Sequence, residues 1–214
     1  MRNVTVVDYG VGNLLSVSRG FEKCGVTVSL TSSPDDVLHA ESLVLTGVGS
    51  FVHGMRELLE RGLVEPIRKY AESGRPLLGI CLGMQLLFTN SSENGLNDGL
   101  DFVPGNVIAI PKTNSDGNKH KVPHIGWNML INFNNDVTWQ DTILHDIKEK
   151  SHVYFVHSYT AVPVDSSHAI AKSNYNGREV TAVVRSGSIY GCQFHPEKSG
   201  KVGLKILENF VKTG

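Results

Sequence analysis

The first half of the chain alternates between short apolar runs and segments whose apolar residues recur at helical spacing. The apolar runs predict strands at Asn3–Val7, 26–30, 42–45 and 77–80. The helical spacing predicts helices at 13–24, 34–38, 51–71 (interrupted near Pro66) and 82–88. This alternation of short apolar strands with helices is typical of a mostly parallel sheet that is buried on both faces by helices.

The second half has a different pattern, with strands following one another and few helices between them. It predicts strands at 107–110, 129–133, 152–156, 169–175, 180–185 and 188–194, and a closing amphipathic helix at 199–212. Asn-Gly at 176–177 and Ser-Gly at 186–187 are hairpin turn signals. The polar segments 90–99 and 113–121 predict exposed loops. With no repeat or linker in between, we expect one mixed α/β domain over residues 1–214.

Composition narrows the class of protein without identifying it. The chain has 214 residues, 40% of them hydrophobic, and a net charge of −1, which is typical of a globular protein. So small a charge gives no reason to expect nucleic acid or an anionic membrane as a partner. No apolar run has the length of a membrane span or a signal peptide. The three scattered cysteines indicate reduced thiols and a cytoplasmic location.

The stretch LLGICLGMQLL, residues 77–87, encloses Cys81 between two glycines. A strand that runs directly into a helix must turn sharply, and glycines remove the side chains that would clash there. This is the nucleophile elbow pattern with Cys in place of Ser, and it predicts a thiol exposed at the edge of the sheet. The beginning of a helix there would favour the thiolate. The alternative is a buried cysteine that packs as a small apolar side chain.

A thiolate nucleophile needs a base and a group that orients the base, and QFHPEKS at 193–199 supplies candidates. His195 and Glu197 are two residues apart, so in an extended segment they point the same way. Pro196 favours an extended conformation for His195. The alternative is a loop histidine beside an unrelated glutamate. The spacing of the nine histidines predicts no metal site.

Acyl chemistry also needs donors for a developing oxyanion. The backbone N–H of Leu82, which follows the nucleophile, is one candidate. The other is the glycine-containing segment after the strand at 42–45, where Val48 and Gly49 allow backbone to approach a substrate. Taken alone, such a segment is usually just a turn, and it gains weight only beside the other two motifs.

These motifs together resemble those of the class I (triad-type) glutamine amidotransferases. The resemblance rests on TGVGSF, GICLGMQLLF, VPHIGWN, YFVHSY and GCQFHPEKS, and it covers nearly the whole chain. It implies a flavodoxin-like fold, a Cys81–His195–Glu197 triad, and hydrolysis of L-glutamine without a metal or organic cofactor. It also implies that glutamine is held by Gly49, Gln85, Glu93, Ser158 and Tyr159.

DYG-x-GN, HIGWN and HPEKS point, within that family, to the glutaminase subunits of histidine biosynthesis. Those subunits deliver ammonia to a cyclase subunit with a (β/α)₈ barrel. The resemblance implies a heterodimer with such a barrel through Asn13, Trp127, Asn128 and Lys198, although Trp127 could equally be a core residue.

One departure from the family keeps other functions open. Thr46 stands where relatives usually have proline, which frees the backbone at the oxyanion segment. The alternatives are a paralogous subunit that supplies ammonia for amidation of a surface sugar, a stand-alone cysteine amide hydrolase, and a non-catalytic regulatory subunit. The acceptor of the ammonia is not encoded in this chain, because that chemistry belongs to the partner.

Overall fold

The computed structural model of the chain describes residues 2–133 and 138–213. Its helices are α1 (Leu14–Glu22), α2 (Pro34–His39), α3 (Phe51–Glu60), α4 (Val64–Glu72), α5 (Leu82–Leu86) and α6 (Gly200–Lys212). Its strands are β1 (Asn3–Val7), β2 (Thr27–Thr31), β3 (Ser42–Gly47), β4 (Leu77–Cys81), β5 (Phe88–Ser91), β6 (Asn97–Asp98), β7 (Val103–Ala109), β8 (His124–Met129), β9 (Ile131–Asn132), β10 (His152–His157), β11 (Tyr159–Pro163), β12 (Ala169–Tyr175), β13 (Arg178–Ser186) and β14 (Ile189–Cys192). Within this part of the chain, no helix is long and apolar enough to cross a bilayer.

The largest sheet has the strand order β2-β1-β3-β4-β14-β13-β12-β9. Its first five strands in that order are parallel, and the remaining three add on in antiparallel fashion. A four-stranded sheet (β11-β7-β5-β6) and a two-stranded sheet (β10-β8) complete the fold. The predicted mixed, mostly parallel sheet is confirmed.

Apolar side chains lie on both faces of this sheet. Leu43 and Leu45 of β3 belong to one buried cluster, and Val44 between them belongs to another. Because successive strand residues point to opposite faces, the two clusters lie on opposite sides of the sheet. This double burial explains why the strands read as continuous apolar runs.

The helix predicted at 51–71 is two helices, and the break is not at Pro66. α3 ends at Glu60, where Gly62 adopts φ +66, a conformation that glycine tolerates and that commonly terminates helices. Pro66 is the third residue of α4. Its missing N–H costs nothing there, because the first N–H groups of a helix have no partner within it.

Pairing between distant strands overrides several local predictions. The helix predicted at 82–88 ends at Leu86, since Phe88 begins β5, which pairs with β7. The exposed loop predicted at 90–99 is only partly right: 92–96 is a mostly exposed turn, but β5 and β6 pair on either side of it and Ser91 is fully buried. The strand predicted at 129–133 falls across the junction of β8 and β9, while β7 begins four residues before the predicted 107. No strand was predicted where β11 lies.

Candidate active site

Cys81 lies at the sharp turn between β4 and α5. Its backbone angles are φ 54 and ψ −108, which a residue with a side chain adopts only under strain. The flanking glycines are required for space: a Cβ on Gly79 would lie 2.7 Å from the backbone of Gly83, and one on Gly83 would collide with the carbonyl oxygen of Leu45. The geometry is that of a nucleophile elbow, as the sequence predicts. Because α5 has only five residues, the helix charge predicted at the thiol is weak.

The candidate oxyanion segment lies beside the elbow. β3 pairs with β4 up to Gly47, which is opposite Cys81, so Thr46 in place of proline leaves the strand uninterrupted. Val48 then leaves the sheet and is 45% exposed. Gly49 adopts φ +109, a conformation that favours glycine, and apart from its own chain neighbours no described residue lies within 4 Å of the place a Cβ would take.

His195 and Glu197 form a buried pair next to this turn. Glu197 Oε1 lies 2.8 Å from His195 Nδ1, and the two side chains are 1% and 3% exposed respectively. The predicted extended geometry is only half right: His195 is extended, but Glu197 lies in a 3₁₀ turn, Pro196–Lys198, from which it reaches back to the ring. The turn is anchored by Ser199, whose hydroxyl donates to the carbonyl of His195 at 2.6 Å.

The surroundings of His195 favour its protonated form. Burial alone would lower the pKa of His195, but the thiol of Cys81 and the carboxylate of Glu197 outweigh burial and raise it to about 9. Although Cys81 is close enough to act on the pKa, Nε2 of His195 has no partner at hydrogen-bond geometry among the described residues. The ring therefore has one nitrogen fixed by Glu197 and the other available for chemistry beside the thiol.

A cavity of about 260 Å³ opens at the thiol. Its wall includes Leu82, Val48 and all five residues predicted to hold glutamine: Gly49, Gln85, Glu93, Ser158 and Tyr159. The volume is below the range of about 300–1,000 Å³ that is usual for drug-sized ligands, so it suits a single amino acid. Together with Pro123, the lining comes from five separate segments of the chain.

Comparison with known proteins identifies the family. The family model of the class I glutamine amidotransferases matches residues 5–213. The chain belongs to this family. Among curated relatives, imidazole glycerol phosphate synthase subunit HisH 1 of Legionella pneumophila (strain Paris) is 47% identical over 212 residues, which cover 99% of this chain and 100% of the relative. Subunit HisH of Geobacillus sp. (strain WCH70) is 47% identical, covering 97% of this chain and 95% of the relative.

Solved structures agree at the level of the fold. PurLQS from Thermotoga maritima matches with a TM-score of 0.70 and 23% identity, covering 99% of this chain and 98% of that chain. A crystallised glutamine amidotransferase matches with a TM-score of 0.72 and 16% identity, covering 98% and 97%. The flavodoxin-like amidotransferase fold implied by the resemblance is confirmed.

Three residues of this amidotransferase site were missed by reading the sequence. Gln193 is fully buried, with its amide nitrogen 4.0 Å from Cys81 Sγ and its oxygen 3.0 Å from the amide of Gln85. His157 lines the cavity from the end of β10. The Tyr9 hydroxyl is buried with no partner among the described residues, and it occupies the space that a side chain on Gly47 would fill. Burial and the nearby Cys81 raise the pKa of Tyr9. The sequence signal that could have identified these three residues is that each lies within a family motif: GCQFHPE, YFVHSY and DYG, respectively.

Glu93 shows how a polar residue from a predicted loop reaches the site. Its Oε2 accepts a hydrogen bond of 2.6 Å from the backbone N–H of Phe51, the first residue of α3. The helix therefore fixes the carboxylate at the rim of the cavity. Within the described residues, no three His, Cys, Asp or Glu side chains are grouped so that they could hold a metal ion.

Three of the four residues predicted to face a partner are exposed, whereas Asn128 is half-buried. Asn13 and Lys198 are exposed, and Asn13 also caps α1 by accepting from the N–H of Ser16. Trp127 is 56% exposed, so the alternative that it packs in the core was wrong. Its ring lies edge-on to Tyr154, whose backbone carbonyl accepts from the N–H of His195 at 2.9 Å. The exposed tryptophan is thus one strand away from the turn that carries His195 and Glu197.

Proposed function

We propose that this chain is the glutaminase subunit of imidazole glycerol phosphate synthase. It hydrolyses L-glutamine to glutamate and ammonia and passes the ammonia to a cyclase subunit for histidine biosynthesis. The observation that carries the proposal is the buried His195–Glu197 pair beside Cys81 at its strained elbow, with a small cavity opening at the thiol. Full-length relatives of that name at 46–47% identity support it.

The first half of the reaction is attack of the Cys81 thiolate on the carboxamide carbon of glutamine. The negative charge that develops on the carboxamide oxygen is stabilised by the backbone N–H of Leu82 and by an N–H from the Val48–Gly49 segment. Protonated His195 donates its Nε2 proton to the leaving nitrogen. The C–N bond breaks, ammonia leaves, and the γ-glutamyl group remains on Cys81 as a thioester.

In the second half, neutral His195 accepts a proton from water, which attacks the thioester carbon. The C–S bond breaks, glutamate is released, and Cys81 and His195 return to their starting states. Glu197 keeps the ring of His195 in one orientation throughout and stabilises its positive charge. The sum is glutamine plus water giving glutamate plus ammonia, with no cofactor or metal involved.

Glutamine is bound by groups at the rim and base of the cavity. We assign the α-ammonium group to Glu93, using the Oε1 oxygen that the N–H of Phe51 does not occupy. Gln85 and the backbone at Gly49, Ser158 and Tyr159 line the rest of the substrate. Mutual positioning of these groups holds the carboxamide against Cys81.

The whole chain acts as a single amidotransferase domain in the cytoplasm, and its macromolecular partner is the (β/α)₈-barrel cyclase. The partner face includes Asn13, Trp127, Asn128 and Lys198. An exposed tryptophan near a charged rim is the composition expected of an interface anchor. Neither nucleic acid nor a membrane is a partner in this proposal.

Replacing the nucleophile tests the proposal. In the complex with the cyclase, Cys81→Ala should abolish glutamine-dependent formation of imidazole glycerol phosphate and leave ammonia-dependent formation unchanged. Cys24→Ser is the matched control, because Cys24 lies on α1's C-terminal side, away from the cavity, and should retain both activities. Glutamine turnover by the Cys81→Ala variant would refute the assignment. Glutaminase activity without product from any cyclase would instead favour the sugar-amidating paralogue.

A further inference from the structure

His157 lies where the cavity meets the strand pair β10–β8. It is 6% exposed, lines the cavity with Cys81, and is paired in the antiparallel register with His124, which is 2% exposed. His157 Nε2 and His124 Nδ1 are 2.9 Å apart, a hydrogen bond between two imidazoles. The reaction proposed above does not use either ring.

The position of each proton in this pair follows from its neighbours. His157 Nδ1 lies 2.8 Å from the carbonyl oxygen of Tyr159, which can only accept, so Nδ1 carries the hydrogen. In a neutral ring Nε2 is then an acceptor, and His124 Nδ1 must be the donor. Burial supports neutral rings, since it lowers the pKa of His157 to about 3 and that of His124 to about 4.

Asn128 forms the other end of this series of hydrogen bonds. Its Oδ1 accepts from the N–H of Met129 at 2.8 Å, and its Nδ2 donates to the carbonyl of Asn174 at 2.8 Å, so the amide has one orientation. The second hydrogen of Nδ2 points to His124 Nε2 at 3.3 Å. Donation therefore runs in one direction, from Asn128 through His124 and His157 to the carbonyl of Tyr159.

The carbonyl oxygen of Tyr159 accepts two hydrogen bonds in the wall of the glutamine pocket. It also accepts from Gln85 Nε2 at 3.3 Å, and Gln85 is bonded in turn to Gln193 beside the thiol. The residue before His157 contributes as well, since the carbonyl of Val156 is 3.8 Å from Cys81 Sγ. His124 is held flat between Phe155 and Tyr175, with ring centroids 4.8 and 4.1 Å away.

We propose that His157 is a positioning residue for the glutamine pocket, and that His124 and Asn128 hold it in the Nδ1–H tautomer that fixes the Ser158–Tyr159 backbone. The inference rests on the proposed function, because the backbone it positions is the wall of the proposed glutamine site. It also gives Asn128 an inward role, since the hydrogen bonds of its side chain are made within the chain.

The kinetic test compares two replacements of His157 in the complex with the cyclase. Asn places an amide N–H near the position of Nδ1 and can still donate to the carbonyl of Tyr159, whereas Leu cannot. His157→Leu should raise KM for glutamine about tenfold, the effect of losing one buried hydrogen bond, with kcat changed less than about threefold. His157→Asn should stay within about threefold of the unchanged protein. An unchanged KM in a folded Leu variant, or equal impairment of both variants, would overturn the proposal.

A spectroscopic test does not depend on activity or on the stability of a variant. The nitrogen-15 NMR spectrum of the full chain with labelled histidine, at pH 7, should show His157 and His124 as neutral rings protonated at Nδ1. His157→Asn and His124→Asn assign the two signals. A His157 ring that is protonated at Nε2, or charged, would overturn the proposal. If glutamine turnover is absent altogether, the proposed function fails while this measurement still decides the tautomer.

Discussion

At His195, the surroundings change the protonation state of the side chain at neutral pH. A buried imidazole alone would lose its proton readily, but the Glu197 carboxylate at 2.8 Å and the Cys81 thiol keep it charged to about pH 9. A histidine that is protonated at neutral pH is suited to donate to a leaving amine. The same environment that prepares the reaction therefore also links proton binding to folding.

Stability should fall as pH rises through the titration of His195. Its pKa is raised from 6.5 to about 9 in the folded chain, so the folded state binds more protons between these values. The stabilisation is complete below about pH 6.5 and is lost through about pH 9, on the order of a few kcal/mol in the free energy of unfolding. Denaturant unfolding of the full chain at several pH values measures the slope of the free energy of unfolding against pH.

Glu197→Gln should reduce that slope, because it removes one of the charges that raise the pKa. Asp35→Asn is the matched control: His39 and Asp35 also form a histidine–carboxylate pair, but their side chains are 76% and 83% exposed, so the slope should stay as in the unchanged chain. If Glu197→Gln and the unchanged chain have the same slope over pH 6.5–9, Glu197 does not contribute to the link between His195 protonation and folding.

At the scale of elements, α1 packs directly against the turn that carries Glu197. A Cβ on Gly20 would lie 3.2 Å from Cβ of Glu197 and 3.0 Å from Leu207 in α6. Gly20 is a helical residue without a positive φ, so here the glycine provides space and not backbone freedom. The position of the Glu197 carboxylate thus depends on how closely a helix from the first half of the chain approaches.

Gly20→Ala should therefore lower kcat for glutamine hydrolysis by about tenfold or more, because shifts of a few tenths of an ångström would loosen the bond from Glu197 to His195. Gly62→Ala, at φ +66 between α3 and α4, is the control: it should lower the melting temperature through backbone strain and leave kcat unchanged. Activity assays and thermal unfolding of both variants separate the two effects. Full activity in Gly20→Ala would show that the turn tolerates the displacement.

At the scale of the whole molecule, the residues of the site follow the carboxyl ends of adjacent parallel strands. Gly47 ends β3, Cys81 ends β4, and His195 follows β14. This edge of the sheet is where α/β proteins place their sites. The exposed Trp127 and Lys198 lie beside it, so a docked partner would contact the same edge and could influence the Val48–Gly49 segment.

We expect the isolated chain to hydrolyse glutamine slowly, and the complex with cyclase and bound acceptor to be faster by about 10²–10³, the effect of one oxyanion donor. The Val48–Gly49 segment follows the last paired residue of β3 and contains a glycine, which tolerates either sign of φ, whereas Leu82 is held in α5. Glutamine turnover should be measured for the lone chain, the complex, and the complex with acceptor. Trp127→Ala should weaken the dependence on partner, and Leu30→Ala, exposed on the edge strand β2, should not. Equal rates in all three states would indicate that the oxyanion site is preformed.

The sequence by itself determined the features that depend on local chemistry and periodicity. Apolar runs located β1, β3 and β4 because strands buried on both faces must be apolar throughout. Two glycines around Cys81 predicted the elbow, since only glycine fits where α5 touches β3 and β4. His195 and Glu197 were recognisable because they are only two residues apart.

Only the tertiary structure decided the features that depend on distant contacts. The hairpin of β5 and β6 forms from a polar segment because β7 pairs with it, and no local preference records that partner. Gln193, Tyr9 and the His124–His157 pair belong to the site through contacts between residues 33 to 112 positions apart or through shared space. Nothing in the local pattern of apolar and polar residues distinguishes these side chains from others of the same type. Burial and hydrogen bonds to distant residues, which exist only in the folded chain, fix the protonation of the two histidines and the position of Gln193.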